Sequence, residues 1–172
     1  MSRIQGKTSS LQLATHQVYV GIDVSKSHLD VYIHPCGIAR RVRNDKTGIA
    51  ALVRVLRPHT PETVVVEATG RYHRLCHRHL HNAGFCVAVM NPYRTRRFSD
   101  VLGQLAKTDK IDARMLAQFG AMVQPVASSP PAPAVAILSE LLTARRQTGT
   151  EKTALQSQLS EAESNLVKRQ IR

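Results

Sequence analysis

The chain has 172 residues, enough for one domain with a real core and a helical appendage. Lys plus Arg number 24 against 12 Asp plus Glu, giving +12 and a pI near 10.4, a balance that favours a polyanionic partner, above all nucleic acid. A basic membrane-surface protein would need bulky apolar residues opposite its cations, whereas Trp is absent and aromatics are 4%.

No run approaches the roughly 20 apolar residues of a membrane span, and the N-terminus lacks the apolar core of a signal peptide. The three cysteines, Cys36, Cys76 and Cys86, have no paired spacing and fit reduced thiols. A cytoplasmic location is expected. Residues 1–16 are polar and aperiodic, and are expected to form a disordered tail.

Val18 to Val24 reads as a buried strand, broken by Ser25-Lys26-Ser27. Leu29 to Ile33 is a second strand, and a turn at Pro35-Cys36-Gly37 leads to a third at about Ile38 to Val42. Asn44 or Asp45 then caps a helix with apolar residues Ile49, Leu52, Val53 and Leu56, stopped by Pro58. Thr63 to Glu67 is a short apolar run suited to a central strand covered on both faces. A helix from Tyr72 to Asn82 ends at Gly84, and Phe85 to Met90 is a fifth strand. This order predicts a mixed sheet with helices on both faces.

Asn91 to Leu105 is polar and reads as a basic loop. Thr108 is a suitable N-cap for a helix running to about Gln124, with Ile111, Met115, Leu116 and Phe119 as its apolar stripe. Four prolines in the ten residues Gln124 to Pro133 read as a semi-rigid linker. From Ala134 to Arg172, Leu138, Leu141, Leu155, Leu159, Ala162 and Leu166 follow a heptad seam. Arg145, Thr148, Gly149 and Lys152 interrupt it, which predicts two halves of an antiparallel or interrupted coiled coil. Such a stripe needs a partner, so a homo-oligomer is expected.

Four acids stand out. Asp109 and Asp112, three apart at the helix opening, project from one face. Asp23 closes the first strand and Glu67 the fourth, where an open α/β sheet builds sites at its carboxyl edge. Bringing four carboxylates together is costly unless cations sit among them. Mg²⁺ (or Mn²⁺) suits hard oxygen ligands, and two ions about 3.5–4 Å apart can clamp the attacking and leaving oxygens of a phosphodiester.

Gly21-Ile22-Asp23-Val24-Ser25-Lys26, Val66-Glu67-Ala68-Thr69-Gly70, Asn91-Pro92 and Lys107-Thr108-Asp109-Lys110-Ile111-Asp112-Ala113, in that order, closely resemble the N-terminal domain of the DEDD transposases. These are insertion-sequence recombinases of the IS-one-ten class, which includes the pilin-gene inversion protein. The resemblance runs from about Val18 to Gln124 and implies a ribonuclease-H-like α/β fold akin to the resolvase RuvC, followed by a helical extension. It assigns Asp23, Glu67, Asp109 and Asp112 to a catalytic, metal-binding tetrad, and it implies DNA transposition and recombination. In family members a further C-terminal domain supplies a nucleophilic serine, and a structured RNA guides site choice in the better-understood ones. The expected layout is a catalytic domain at 17–124, a linker at 125–133 and a helical segment at 134–172. The serine domain is expected to lie outside these residues, so this chain is expected to be a fragment, unable to complete recombination alone.

Nucleic-acid contacts are expected from Arg71, Tyr93, Arg94, Arg96, Arg97, Lys107 and Lys110, with arginines on phosphates and Tyr93 stacking on a base. Arg40, Arg41 and Arg43 on the third strand suit either an edge-strand device or a binding role. His73, His77 and His81 share a helix face that zinc could use, but Arg71, Arg74 and Arg78 beside them disfavour a cation. Ser25 and Ser27 near Asp23 fit a turn or cap better than a nucleophile, since the sequence alone places no base for them. A stand-alone resolvase-like nuclease and an inert nucleic-acid-binding remnant are the alternatives. A sugar-kinase or actin-like ATPase is disfavoured, because no second Gly-rich phosphate loop is visible.

Overall fold

The computed structural model describes residues 17–101 and 109–171, with backbone alone at 109–111 and 171. The first three strands form the expected meander: β1 (Tyr19–Val24), β2 (His28–His34) and β3 (Ile38–Arg43). Ser25 makes the first turn, its Oγ donating to the His28 carbonyl at 2.9 Å and accepting from the His28 N–H at 3.0 Å. Both hydrogen bonds bind Ser25 into the turn, as the sequence led us to expect.

Helix α1 (Lys46–Leu56) begins at Asp45, whose Oδ1 accepts from the Gly48 N–H at 2.7 Å. That bond, with Arg43 beside it, holds the Asp45 carboxyl below its ordinary value of 3.8. Pro58 lies in a 3₁₀ turn, Arg57–His59, that ends the helix. Strand β4 (Thr63–Glu67) then leads to α2 (His73–Asn82), and Gly84 (φ 91°) turns the chain into β5 (Val87–Met90).

The sheet order is β3-β2-β1-β4-β5. β1 runs antiparallel to β2 and parallel to β4, and β4 runs parallel to β5. Strand alternation divides the core in two. On one face Val20, Ile22, Leu29, Val31, Val64 and Val66 pack with Ile49, Leu52 and Leu56 of α1 and Cys76 and Leu80 of α2. On the other, Val65, Ala88 and Met90 meet Met115, Leu116 and Phe119 of α4 (Asp109–Val123). A mixed α/β sheet flanked by helices is therefore the architecture, as expected.

Two elements differ from expectation. Residues 92–101 are a helix, α3 (Pro92–Val101), and not a loop. Asn91 accepts from the Tyr93 N–H at 2.9 Å, and Pro92 supplies a pre-set φ at the first position. Its apolar stripe is thin: Thr95 is buried, and Phe98 meets Phe119 edge-on at 5.1 Å. The chain divides into two compact units at Pro130/Pro131. In the second, α5 (Pro133–Glu161) is one helix of 29 residues, continuous through Arg145, Gly149 and Lys152, and α6 (Asn165–Ile171) follows. The heptad break thus leaves the backbone hydrogen-bond ladder intact. Thr148 and Thr153 even fold back onto the Ala144 and Gly149 carbonyls, at 3.1 and 3.0 Å.

Candidate functional site

Asp23 and Glu67 lie side by side at the carboxyl edge. The β1–β4 register pairs Ile22 with Val66, and Asp23 and Glu67 are the next residue on each strand. Period-2 alternation puts Asp23 on the face of Tyr19 and Gly21, and Glu67 on the face of Val65. That face is covered by α4. Both acids are partly buried.

How α4 crosses this face follows from two glycines. A Cβ on Gly120 would lie 3.0 Å from Val65 and 3.4 Å from Tyr19. A Cβ on Gly21 would meet the Ala113 carbonyl oxygen and the Ala117 nitrogen, so the helix backbone rests directly on the strand. Helix α4 therefore runs antiparallel to β1. Two strand residues advance about 6.7 Å, which four to five helix residues match at about 1.5 Å each. Stepping on from Gly21 to Asp23 brings the helix to positions between Asp109 and Asp112. Asp112 is partly buried, and Asp109 opens the helix one turn earlier. At the far end, Gln124 Nε2 donates to the Tyr19 hydroxyl at 3.1 Å and fixes the same alignment.

The register also reveals a residue that the sequence reading passed over. Asp30 of β2 stands opposite Asp23, and Arg41 of β3 stands opposite Asp30. Asp30 is 8% exposed and is gripped by Arg41, with Nε to Oδ1 at 2.7 Å and Nη2 to Oδ2 at 2.8 Å. A single row thus crosses the sheet: Arg41, Asp30, Asp23, Glu67 and Met90, which pairs with Glu67. The signal for Asp30 was present, since it stands five residues before Pro35 and Arg41 stands five after Cys36, symmetrically about that pair.

The donor set of the four predicted acids is all carboxylate oxygen, the chemistry a hard divalent cation takes. Among the described residues no three His, Cys, Asp or Glu side chains are gathered closely enough to hold an ion; the Asp109 side chain lies outside them.

The expected nucleic-acid contacts divide. Tyr93, Arg94, Arg96 and Arg97 are exposed on α3, which starts at the carboxyl end of β5 and packs towards α4 through Phe98. Arg97 is pre-ordered on Tyr93: its Nε donates to the hydroxyl at 3.2 Å and its guanidinium lies 5.1 Å from the ring centre. Arg71 is exposed in the turn before α2. Lys107 and the Lys110 side chain lie outside the described residues.

The histidine stripe of α2 has a different use. His77 is buried, and its Nε2 bonds the Ser128 carbonyl at 2.7 Å, while the Ser128 N–H donates to Val87 at 2.8 Å. The start of the Pro-rich segment is so held against β5 and α2. Burial, and then the charge of neighbouring His77, holds His73 below its ordinary 6.5. Burial pushes the Cys76 thiol up to about 12, an inert core group.

A family model described as a transposase, of the DEDD class and IS-one-ten type, matches residues 20–162. The pilin gene-inverting protein of Moraxella bovis is 32% identical over 123 residues, covering 63% of this chain and 36% of that protein. Its counterpart in Moraxella lacunata is 31% identical over 123 residues, with 63% and 36% covered. The chain thus spans about a third of the length of these curated relatives. Among solved structures, T. thermophilus RuvC in complex with a Holliday junction substrate has a TM-score of 0.46 at 19% identity, covering 65% of this chain and 99% of that one. The fowlpox virus Holliday junction resolvase has a TM-score of 0.39 at 15% identity, covering 63% and 99%.

Proposed function

The chain belongs to the DEDD transposase family, and from that premise we propose that it is the carboxylate-bearing part of a DNA recombinase that cleaves and transfers strands. The observation that carries this reading is the convergence of three elements. Asp23 and Glu67 end adjacent parallel strands, and α4, which opens with Asp109 and Asp112, packs on the same sheet face and supports this reading. The relatives' name, pilin gene-inverting protein, describes a DNA rearrangement of the same class.

In this reading Asp23, Glu67, Asp109 and Asp112 hold Mg²⁺ or Mn²⁺, as two ions. Divalent metal held there would supply Lewis-acid stabilisation of the phosphodiester and would lower the pKa of the attacking group. The protein's own contribution is placement. β1 and β4 fix two carboxylates on a rigid edge, and the Asp109–Asp112 turn that opens α4 would supply the other two. The arginines of α3 and the +12 overall charge draw the DNA backbone to that edge. The nucleophilic serine would come from the further domain that the resemblance implies, and, as in the better-understood family members, a structured RNA would guide the choice of sites. The helical unit 131–172 exposes Leu138, Leu141, Leu142 and Leu155, a stripe for pairing with a second copy.

Melting the chain with and without millimolar Mn²⁺ tests the carboxylate site. Wild type should be stabilised, and Asp23→Asn and Asp109→Asn should be stabilised much less. In a longer protein carrying the serine domain, Asp112→Asn should retain or tighten DNA binding yet lose cleavage. Cleavage at the wild-type rate by that variant rejects the tetrad.

A further inference from the structure

We infer that Asp30 is a positioning residue whose task is to hold Arg41 as a phosphate clamp beside the acidic row. The inference rests on the DNA-cleavage reading above and deepens it. Three observations converge.

Firstly, Asp30 is nearly buried and lies directly across from Asp23. Like charges at opposed strand positions repel, so a fold needing only stability would have no use for a second carboxylate there. Secondly, Asp30 takes Arg41 in a two-pronged grip at 2.7 and 2.8 Å, the geometry that fixes a guanidinium plane most rigidly. Thirdly, the Arg41 side chain remains 52% exposed on an edge strand. A pair serving packing alone would be covered, whereas a half-exposed and rigidly oriented guanidinium suits an anion arriving from solvent.

Position gives the anion its identity. Strands lie about 4.8 Å apart, so the β3 backbone at Arg41 is about 10 Å from that of Asp23 across β2. That span is of the order of the separation between one phosphodiester and the next one or two along a DNA strand. A duplex or single strand with one phosphodiester at the acidic row would bring a neighbouring phosphate to Arg41. Arg40, by contrast, is opposite Val31 and so belongs to the other sheet face. Its exposure is similar but its direction is not, which makes it an internal control.

The test is equilibrium binding of the 172-residue chain to a short DNA duplex of arbitrary sequence over a salt series. Arg41→Ala should flatten the log–log salt slope by about 0.9 and weaken binding about eightfold at 0.1 M salt, since one lost contact acts over one decade from 1 M. Arg41→Lys should keep the slope and recover part of the affinity; it also serves if Arg41→Ala fails to fold. Arg40→Ala should leave the slope near wild type. Asp30→Asn decides the positioning role by its sign. Removing a negative charge near DNA should tighten binding, as expected for Asp112→Asn, but loss of the grip on Arg41 should weaken it at least twofold. Tighter binding by Asp30→Asn, or an Arg41→Ala slope equal to wild type, overturns the inference and leaves the function intact. Binding by wild type that ignores salt would sink both.

Discussion

Gly21→Ala is the most searching perturbation of the site, because it touches no carboxylate. The added Cβ would meet the Ala113 carbonyl oxygen and the Ala117 nitrogen, with Leu116 Cβ also inside contact at 2.8 Å. Backbone atoms of a helix cannot step aside singly, so α4 as a whole must move outward by more than an ångström to reach ordinary contact. Gly21 is not in the left-handed region, so the strand itself accepts alanine and the penalty is steric. Overpacking of this kind costs about 1–3 kcal/mol. Partial unloading of Leu116 and Phe119 from the sheet places the expected loss towards ~3 kcal/mol, less about 0.5 kcal/mol returned by the stiffer unfolded chain. Urea denaturation should therefore show a fall of about 2–3 kcal/mol, or roughly 10 °C in Tm. In a longer, cleavage-competent protein the displaced α4 carries Asp109 and Asp112 with it, and a 1 Å misplacement costs about a hundredfold in rate. Gly149→Ala, with open space around its Cβ, is the matched control and should stabilise α5 slightly. Stability within about 0.5 kcal/mol of wild type for Gly21→Ala, with cleavage unimpaired, would refute the close packing of α4 on β1.

Three further outcomes are expected. Replacing Arg94, Arg96 and Arg97 together by Ala should flatten the salt slope of DNA binding by up to about three units; an unchanged slope removes α3 from the interface. His73 is held below its ordinary value of 6.5, so the unfolded chain binds its proton more readily than the folded one. The stability it contributes is full above pH 6.5 and is lost as pH falls below it, and His73→Gln should flatten that part of the stability–pH curve; parallel curves would reject the assignment. Removing residues 134–172 should shift the protein towards monomer in sedimentation, and an unchanged oligomer would take the α5 stripe out of assembly.

Much of the first unit was legible because its signals are local and redundant. Thr63 to Glu67 is apolar on both faces and ends in an acid, and it is a central strand whose last residue stands at the edge. The cap at Asp45, the stop at Pro58 and the turn at Ser25 each have one residue whose chemistry dictates the backbone there. Helix α3 was obscured because Thr95 is its one buried residue and Phe98 its one half-buried apolar residue among those described, too few for a 3.6-residue period to rise above four exposed polar neighbours. Asn91-Pro92 was its visible start signal, read only as part of a motif. The continuity of α5 was hidden for the opposite reason. Heptad breaks matter where a partner must fit, and within the described residues α5 exposes nearly every side chain, so Gly149 costs little. Asp30 escaped because a lone acid in a strand reads as the solvent-facing member of an alternation. Only the register opposite Asp23 and Arg41 shows it to be enclosed.

The row across the sheet also explains how a chain of +12 can hold an acidic centre without closing it to a polyanion. Arg41 stands at one end of the row on edge strand β3, and α3 with its arginines begins beyond the other end at β5. The carboxylates occupy the middle, on β2, β1 and β4. A nucleic-acid backbone laid along this edge is attracted at both flanks and repelled at the centre. The flanking attraction acts on phosphates generally, whereas the central repulsion acts on the one phosphate that must enter. Under the proposed function, affinity and chemistry would then belong to different residues of one row. Within the proposed function, a divalent cation held by Asp23, Glu67, Asp109 and Asp112 would offset that repulsion where the carboxylates stand, while Arg41 and the α3 arginines hold the flanking phosphates.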